Sequence, residues 1–339
     1  MNRIAIEEHF TTKGYQDHLR SRSAYPRIET VEDENGVKTE RLARNAKSSR
    51  PLTPRLSGKL LDLGPARFAE MDRAGISMQV VMLAGPGVED LLDIPSANAQ
   101  AHDINDELAA ACKKYPDRLA GFATLSYGDP SGAAKELQRC VTQLGLKATK
   151  INSHYDGEYL DNEKYWPLFE AAESLDVPIY IHPKEPPRAM RDLLGYPVLG
   201  GAMWGFQADV SLHALRLMCG GVFDRFPKLK IILGHLGEGI PFWLWRIDNI
   251  WSRSPKKYPK RPPGDYFREN FYVTTSGMFG KDAFECVYRV LGADRILYAV
   301  DYPYEIIEEG AKFMDAVDIP EADKAKICHL NAERLLSLR

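Results

Sequence analysis

Four short pieces of this sequence end in residues that could do chemistry. The first is Ile6-Glu7-Glu8-His9 and the second is Tyr180-Ile181-His182-Pro183. The third is Leu233-Gly234-His235-Leu236-Gly237-Glu238 and the fourth is Ala299-Val300-Asp301-Tyr302-Pro303. Each follows an apolar run of strand type. Residues i and i+2 of a strand point to one side, so Glu7 and His9 can reach one ion. With His182 and Asp301 they make two imidazoles and two carboxylates. That N/O set suits Mn²⁺, Zn²⁺ or Fe²⁺ and does not favour a soft, thiolate-loving metal. His235 has Glu238 three residues on. A Glu that accepts from one ring nitrogen fixes the tautomer and raises the basicity of the other, which suits a catalytic or substrate-binding His. His154, in Asn152-Ser153-His154, either lines the same site or caps a loop. Arg246 lies in an aromatic-rich stretch, residues 242–251. It is a helix-surface charge or a carboxylate clamp reaching a neighbouring subunit.

These residues need elements that bring them together. Eight strand-type runs are readable, at residues 3–6, 79–83, 119–124, 147–152, 177–182, 230–235, 271–275 and 296–301. Helical patterns lie between most of them, at 97–115, 130–144, 162–175, 212–226 and 281–291. Strands apolar on both faces and joined by helices give a parallel sheet. Eight such units in one chain predict an α/β fold, a (β/α)₈ TIM barrel, in which polar strand ends gather at one mouth. One domain spanning residues 1–339 accounts for the length. Residues 21–55 do not fit the alternation. They are polar, with several Arg and Pro, and form an inserted loop after the first strand that is a surface excursion or a lid. A second insertion, 183–207, is rich in Pro and Gly.

Composition excludes several classes. In 339 residues, Lys and Arg number 44 and Asp and Glu 47, a formal net charge of −3. No basic excess is available for nucleic acid or an anionic membrane. No apolar run approaches the roughly 20 residues of a membrane span, and no secretory signal is visible. The five cysteines are scattered, with no CxxC pair, which points to reduced thiols in the cytoplasm. There is no GxSxG elbow, no GxxxxGK[ST] loop and no dinucleotide fingerprint.

Taken in order, the pieces resemble the amidohydrolase superfamily, in its branch of metal-dependent, non-oxidative aromatic-acid decarboxylases. The matching segments are Ile6-Glu7-Glu8-His9-Phe10, Ile151-Asn152-Ser153-His154, Ile181-His182-Pro183, Gly234-His235-Leu236-Gly237-Glu238, Thr275-Ser276-Gly277, Asp301-Tyr302-Pro303-Tyr304 and Asn331-Ala332-Glu333. They span nearly the whole chain. Members of that branch act on γ-resorcylate, 2,3-dihydroxybenzoate and 5-carboxyvanillate. The wording at Leu60-Leu61-Asp62-Leu63-Gly64, Asn152-Ser153-His154 and Val300-Asp301-Tyr302-Pro303-Tyr304 is similar to the 5-carboxyvanillate enzymes. His9 is the departure, since those enzymes carry Ala there, and it resembles the γ-resorcylate enzymes instead.

The resemblance implies decarboxylation of an ortho-hydroxy aromatic acid, with one divalent ion, Mn²⁺ ahead of Zn²⁺, held by Glu7, His9, His182 and Asp301. No organic cofactor or O₂ is implied. Asp301 would protonate the ring carbon. His235, with Glu238, would bind the phenolate or shuttle the proton, and Arg246 and Tyr304 would hold the remaining oxygens. The loop arginine that binds substrate in the family is left unaligned, with Arg55 and Arg50 as candidates. A homodimer or homotetramer is expected, through residues 242–251. The competing reading is a metal-dependent hydrolase or hydratase of a lactone or related intermediate, because the same ligands activate water. A non-catalytic barrel is a poorer account, since it has no need to gather charge at one mouth.

Overall fold

The computed structural model describes residues 1–32, 34–46, 48–255 and 259–338. Two positions of the 21–55 insertion, 33 and 47, lie outside the described residues.

The chain begins with strand β1 (Ile4–Phe10). An antiparallel sheet follows, of β2 (Arg27–Glu32), β3 (Lys38–Asn45) and β4 (Ser48–Pro51). The remaining strands are β5 (Met78–Leu83), β6 (Leu119–Thr124), β7 (Ala148–Asn152), β8 (Ile179–His182), β9 (Ile231–Leu233), β10 (Phe271–Thr274) and β11 (Ile296–Leu297). β1 and β5 to β11 form one parallel eight-stranded sheet in that order. A parallel bridge from Glu8 to Tyr302 and the bonds Ile6 N–H to Tyr298 O (3.1 Å) and His9 N–H to Tyr302 O (2.7 Å) bring its two ends together. The result is the expected TIM barrel.

Two apolar layers hold it. Ile4, Ile6, Val80, Met82, Phe122, Tyr180, Ile232 and Leu297 fill the interior. Ala5, Phe10, Val81, Leu83, Ile151 and Ile181 face the surrounding helices. Alternation along each strand sorts side chains between the layers. The helices start where their sequences say they should. Pro130–Thr142 has Pro in its first turn, and the Asp129 side chain accepts from Gly132 N–H. Lys281–Leu291 ends at Gly292, which sits at positive φ. Among the described residues no helix is long and apolar enough to cross a membrane.

Two expectations change. Residues 21–55 are not a loop but contain the β2–β3–β4 sheet. Its single apolar residues Ile28, Val31 and Leu42 gave too weak a period-two signal to read. The strand runs at 230–235 and 296–301 are also too long. β9 ends at Leu233 and β11 at Leu297, so His235 and Asp301 sit on irregular backbone beyond the ladder.

Arg67 ties the first strand to this frame. Its buried guanidinium donates to His9 O (2.6 Å), Lys59 O (3.0 Å), Asp62 O (2.6 Å) and Gln79 Oε1 (3.0 Å). Lys cannot reproduce that planar fork. Arg67→Lys should lower stability by about 3 kcal/mol, as buried charged hydrogen bonds are lost. An unchanged urea midpoint would count against this bracing role.

Candidate active site

The site is built around β1. Its ladder with β5 shifts register between Ala5 and Glu8. Such a bulge puts two successive residues on one side. Ile6 and Glu7 both turn inward, Glu8 turns out and His9 returns inward. Glu8 closes the barrel, accepting from Val300 N–H (2.9 Å), Tyr302 N–H (3.1 Å) and Gln79 Nε2 (3.2 Å). Glu7 instead accepts from the Tyr180 hydroxyl and from Thr274 Oγ1 (3.1 Å) through Oε2. Its Oε1 has no hydrogen-bond partner.

Ligand atoms of Glu7, His9 and His182 all lie within 4.8 Å of one another. His182 Nε2 is 3.8 Å from Glu7 Oε1, and Asp301 Oδ1 is 2.9 Å from His9 Nε2. The second pair is not aligned as a hydrogen bond, and neither atom has another partner among the described residues. Metal bonds of about 2.1 Å place neighbouring ligands roughly 3 Å apart, so the His9–Asp301 separation is that of a shared ion and the Glu7–His182 separation is wider. Unpartnered buried nitrogen and oxygen aimed at one point would otherwise be costly. The residues therefore fit a divalent ion. Three of the four expected ligands converge fully. Asp301 approaches from the His9 side and does not share the mutual distance.

Without an ion, burial dominates the charges here. It pushes His9 down to about 3 against the pull of Glu7. It pushes Asp301 up to about 7 against His235 and Arg50. A cation reverses the second effect, since it favours the carboxylate.

His235 and Glu238 sit on a loop of left-handed residues. Their φ values are +49° and +54°, with Leu236, Gly237 and Gly239 also positive. Non-glycine residues there store strain. A Cβ on Gly234 would lie 2.9 Å from the Tyr180 hydroxyl and 3.2 Å from Glu7 Oε2, so only Gly fits. His235 Nδ1 lies 2.7 Å from Glu238 Oε1. Burial alone would lower the imidazole, yet Glu238, Glu7 and Asp301 outweigh it and raise it to about 10.

His182, His235, Asp301 and Tyr304 open into a cavity of about 610 Å³. The β2–β3–β4 sheet roofs it. Asn45 Nδ2 (2.9 Å) and Ser48 Oγ both donate to Glu185. Arg50 Nη2 donates to Tyr304 Oη and Gly85 O, at 3.0 and 3.1 Å. Of the two loop candidates, Arg50 is therefore at the cavity. Arg55 is exposed and lines a separate hollow of about 330 Å³. Arg246 is exposed on the helix Ile240–Arg253 and does not line the cavity of its own chain. His154 lines the cavity with both nitrogens engaged, Nδ1 accepting from Gly157 N–H (3.0 Å) and Nε2 donating to Glu185 O (3.0 Å). It therefore caps a loop. Sequence reasoning missed Arg44, Lys184 and Asn152 on the cavity wall. Arg44 lies inside the polar insertion, where nothing distinguishes it from its neighbours. Asn152 could have been found as a polar strand end beside Lys150.

Comparison with known proteins follows the same lines. The amidohydrolase family matches residues 60–338. A γ-resorcylate decarboxylase from Polaromonas sp. is 40% identical over 346 aligned residues, covering 99% of this chain and 98% of that one. A dihydroxybenzoic acid decarboxylase structure from Polaromonas sp., with bound manganese and the inhibitor 2-nitroresorcinol, superposes with TM-score 0.85 and 39% identity, covering 100% and 98% of the two chains. A 5-carboxyvanillate decarboxylase from Sphingomonas paucimobilis superposes with TM-score 0.89 and 34% identity over 100% and 99%.

The His235–Glu238 pair makes a pH prediction for metal-stripped protein. A pKa raised from about 6.5 to about 10 stabilises the fold fully below pH 6.5, and the gain is lost as pH rises through 10. In Glu238→Gln the His235 ring should titrate several units lower by NMR, and the loss of thermal stability between pH 6.5 and 10 should shrink. An unchanged ring titration would refute the pairing.

Proposed function

This chain belongs to the amidohydrolase family, and from that premise we infer that it removes CO₂ from a hydroxylated aromatic acid with one divalent ion. It is a metal-dependent carboxy-lyase. The observation that supports this most is the Glu7–His9–His182 group with Asp301 beside it, of which His182 and Asp301 reach the wall of a cavity also lined by Arg44 and Arg50. Glu7, His9, His182 and Asp301 would hold the ion, manganese before zinc. When bound, the ion polarises an ortho-hydroxy carboxylate and stabilises negative charge on its oxygens.

The chain's own residues do the rest. Asp301 delivers a proton to the ring carbon that bears the carboxylate. A C–H bond forms there and the ring loses aromaticity. The C–C bond to the carboxylate then breaks, its electron pair returns to the ring, and CO₂ leaves. Asp301, now a carboxylate, recovers a proton from the next substrate's phenol or through His235. His235, kept cationic by Glu238, binds the phenolate oxygen. Arg50 from the roof and Tyr304 from beyond β11 orient the substrate. Arg44 also lines the cavity and makes no ion pair among the described residues, which suits an anionic substrate.

The helix Ile240–Arg253 presents exposed Phe242, Trp243, Trp245 and Ile250. A contiguous apolar patch of this kind marks a protein interface. It supports a homodimer or homotetramer in which Arg246, on the same helix, reaches a neighbour's cavity. Five free cysteines suit a cytoplasmic setting.

Two outcomes are expected. Asp301→Asn keeps a ligand oxygen but cannot carry the proton. It should retain most of its manganese by elemental analysis and lose about 10²-fold or more in kcat. In D₂O the wild-type product should carry one deuterium at the carbon that lost CO₂, and turnover without it would rule out the assigned role. Light scattering at micromolar protein should give a dimer or tetramer. Trp245→Glu should shift it toward monomer, and a wild-type monomer would remove the interface.

A further inference from the structure

One nitrogen of His182 faces the ion site and the other faces away. The distal atom, Nδ1, lies 3.1 Å from Asn152 Oδ1. The same oxygen accepts from Lys150 Nζ at 2.9 Å. Lys150 also donates to Leu83 O at 2.6 Å, which pins the ammonium to β5. On its other side Asn152 Nδ2 donates to Glu89 Oε1 at 2.5 Å. Glu89 belongs to the short 3₁₀ turn Val88–Leu91, and all three side chains are buried. A Cβ on Gly87 would collide with both Glu89 Oε2 and Asn152 Nδ2, so that glycine leaves the room this contact needs.

The orientation of the amide is then determined from both ends. An ammonium only donates, so Asn152 must turn its oxygen to Lys150. A carboxylate only accepts, so Asn152 must turn its nitrogen to Glu89. A flipped amide would fail at both. With the oxygen facing His182, Nδ1 must carry the ring hydrogen. The lone pair of the neutral ring is then on Nε2, the atom 3.8 Å from Glu7 Oε1. Lys150 and Asn152 are two apart on β7, so strand geometry puts both on the side of the barrel that faces His182.

We propose that Glu89, Asn152 and Lys150 form a buried relay that fixes His182 as its Nδ1–H tautomer, with Asn152 the positioning residue that keeps Nε2 free to bind the ion. The part that concerns the ion rests on the reading of Glu7, His9 and His182 as its ligands. The tautomer does not depend on that reading. A partner on the distal nitrogen orients a ligating imidazole and raises its basicity, and its loss costs 10–100-fold in metal affinity. Lys150 adds a second function. By occupying the other lone pair of Asn152 Oδ1 it holds the amide plane against rotation, while Glu89 balances its charge.

The test compares Asn152→Leu, of similar size without an acceptor, with an Asp variant in which Asn152→Asp is paired with Glu89→Gln, so that the acceptor toward His182 and Lys150 stays and the amide of the new Gln donates to the new carboxylate where Asn152 donated to Glu89. Two readouts apply. One is the ¹⁵N shifts of the His182 ring in metal-stripped protein, and the other is the Mn²⁺ dissociation constant by chelator competition. Wild type should show a single Nδ1–H tautomer. The Leu variant should show mixed tautomers and bind Mn²⁺ about 10–100-fold more weakly, with the Asp variant Nδ1–H and within about threefold of wild type. Glu89→Ala frees the amide to turn and should move both readouts in the same direction as Leu, which carries the test if the Leu variant is unfolded by circular dichroism. A Leu variant that keeps one Nδ1–H tautomer and wild-type affinity overturns the relay. So does equal damage in Leu and Asp variants, which is the mark of packing alone. If the tautomer responds as described but wild type takes up no Mn²⁺, the relay stands and the ion reading fails.

Discussion

The site depends on one irregularity in β1. Without the bulge between Ala5 and Glu8, alternation would send Ile4, Ile6 and Glu8 inward and Glu7 and His9 out among the helices. The bulge reverses the order after Ile6. It gives two adjacent carboxylates opposite tasks. Glu7 joins His9 and His182 inside the mouth, while Glu8 binds the backbone of Val300 and Tyr302 and shuts the barrel. Closure and chemistry are therefore set by the same local kink. Arg67 braces it from outside by donating to His9 O.

The other working residues stand where the ladder has ended. β9 stops at Leu233 and β11 at Leu297, yet His235 and Asp301 lie beyond these ends. Both take positive φ, +49° and +73°. A strand could not point these side chains back over its own end, whereas a left-handed residue turns the chain sharply enough to do so. The strain is held by neighbours. His235 N–H donates to Ser276 Oγ (3.2 Å), and Asp301 N–H donates to Glu7 O (3.0 Å). The second bond couples the backbone that carries the proposed acid to the strand that carries two of the proposed ligands.

These relations explain what could be read from the sequence. Apolar runs with polar ends reveal the barrel and its mouth, because burial on both faces and function at strand ends leave a compositional trace. Glu7, His9, His182, His235, Glu238 and Asp301 were all visible in that way. The bulge was not. The i, i+2 argument for Glu7 and His9 reaches the right side only because the kink supplies the change of phase. The roof was also hidden, since β2 to β4 are half-exposed and held by polar contacts such as Asn45 to Glu185. That is why Arg55 looked as good as Arg50, and why Arg44 was passed over. His154 stood at a strand end like the others, but its ring is spent on backbone atoms, a fact that only geometry supplies.

The ligands differ in how firmly they are held, and the difference matches the chemistry proposed for them. Glu7 is gripped by Tyr180 and Thr274, and His182 by Asn152. Both are preorganised, so binding an ion costs them little rotational freedom. Among the described residues Asp301 Oδ1 has no hydrogen-bond partner, and it lies 2.9 Å from His9 Nε2. A residue that must bind a cation as a carboxylate and then protonate carbon as an acid needs two positions, and a tightly anchored side chain has only one. The lone unanchored carboxylate among these four is thus the one given the proton to carry, while its backbone, bound to Glu7 O, keeps the excursion short.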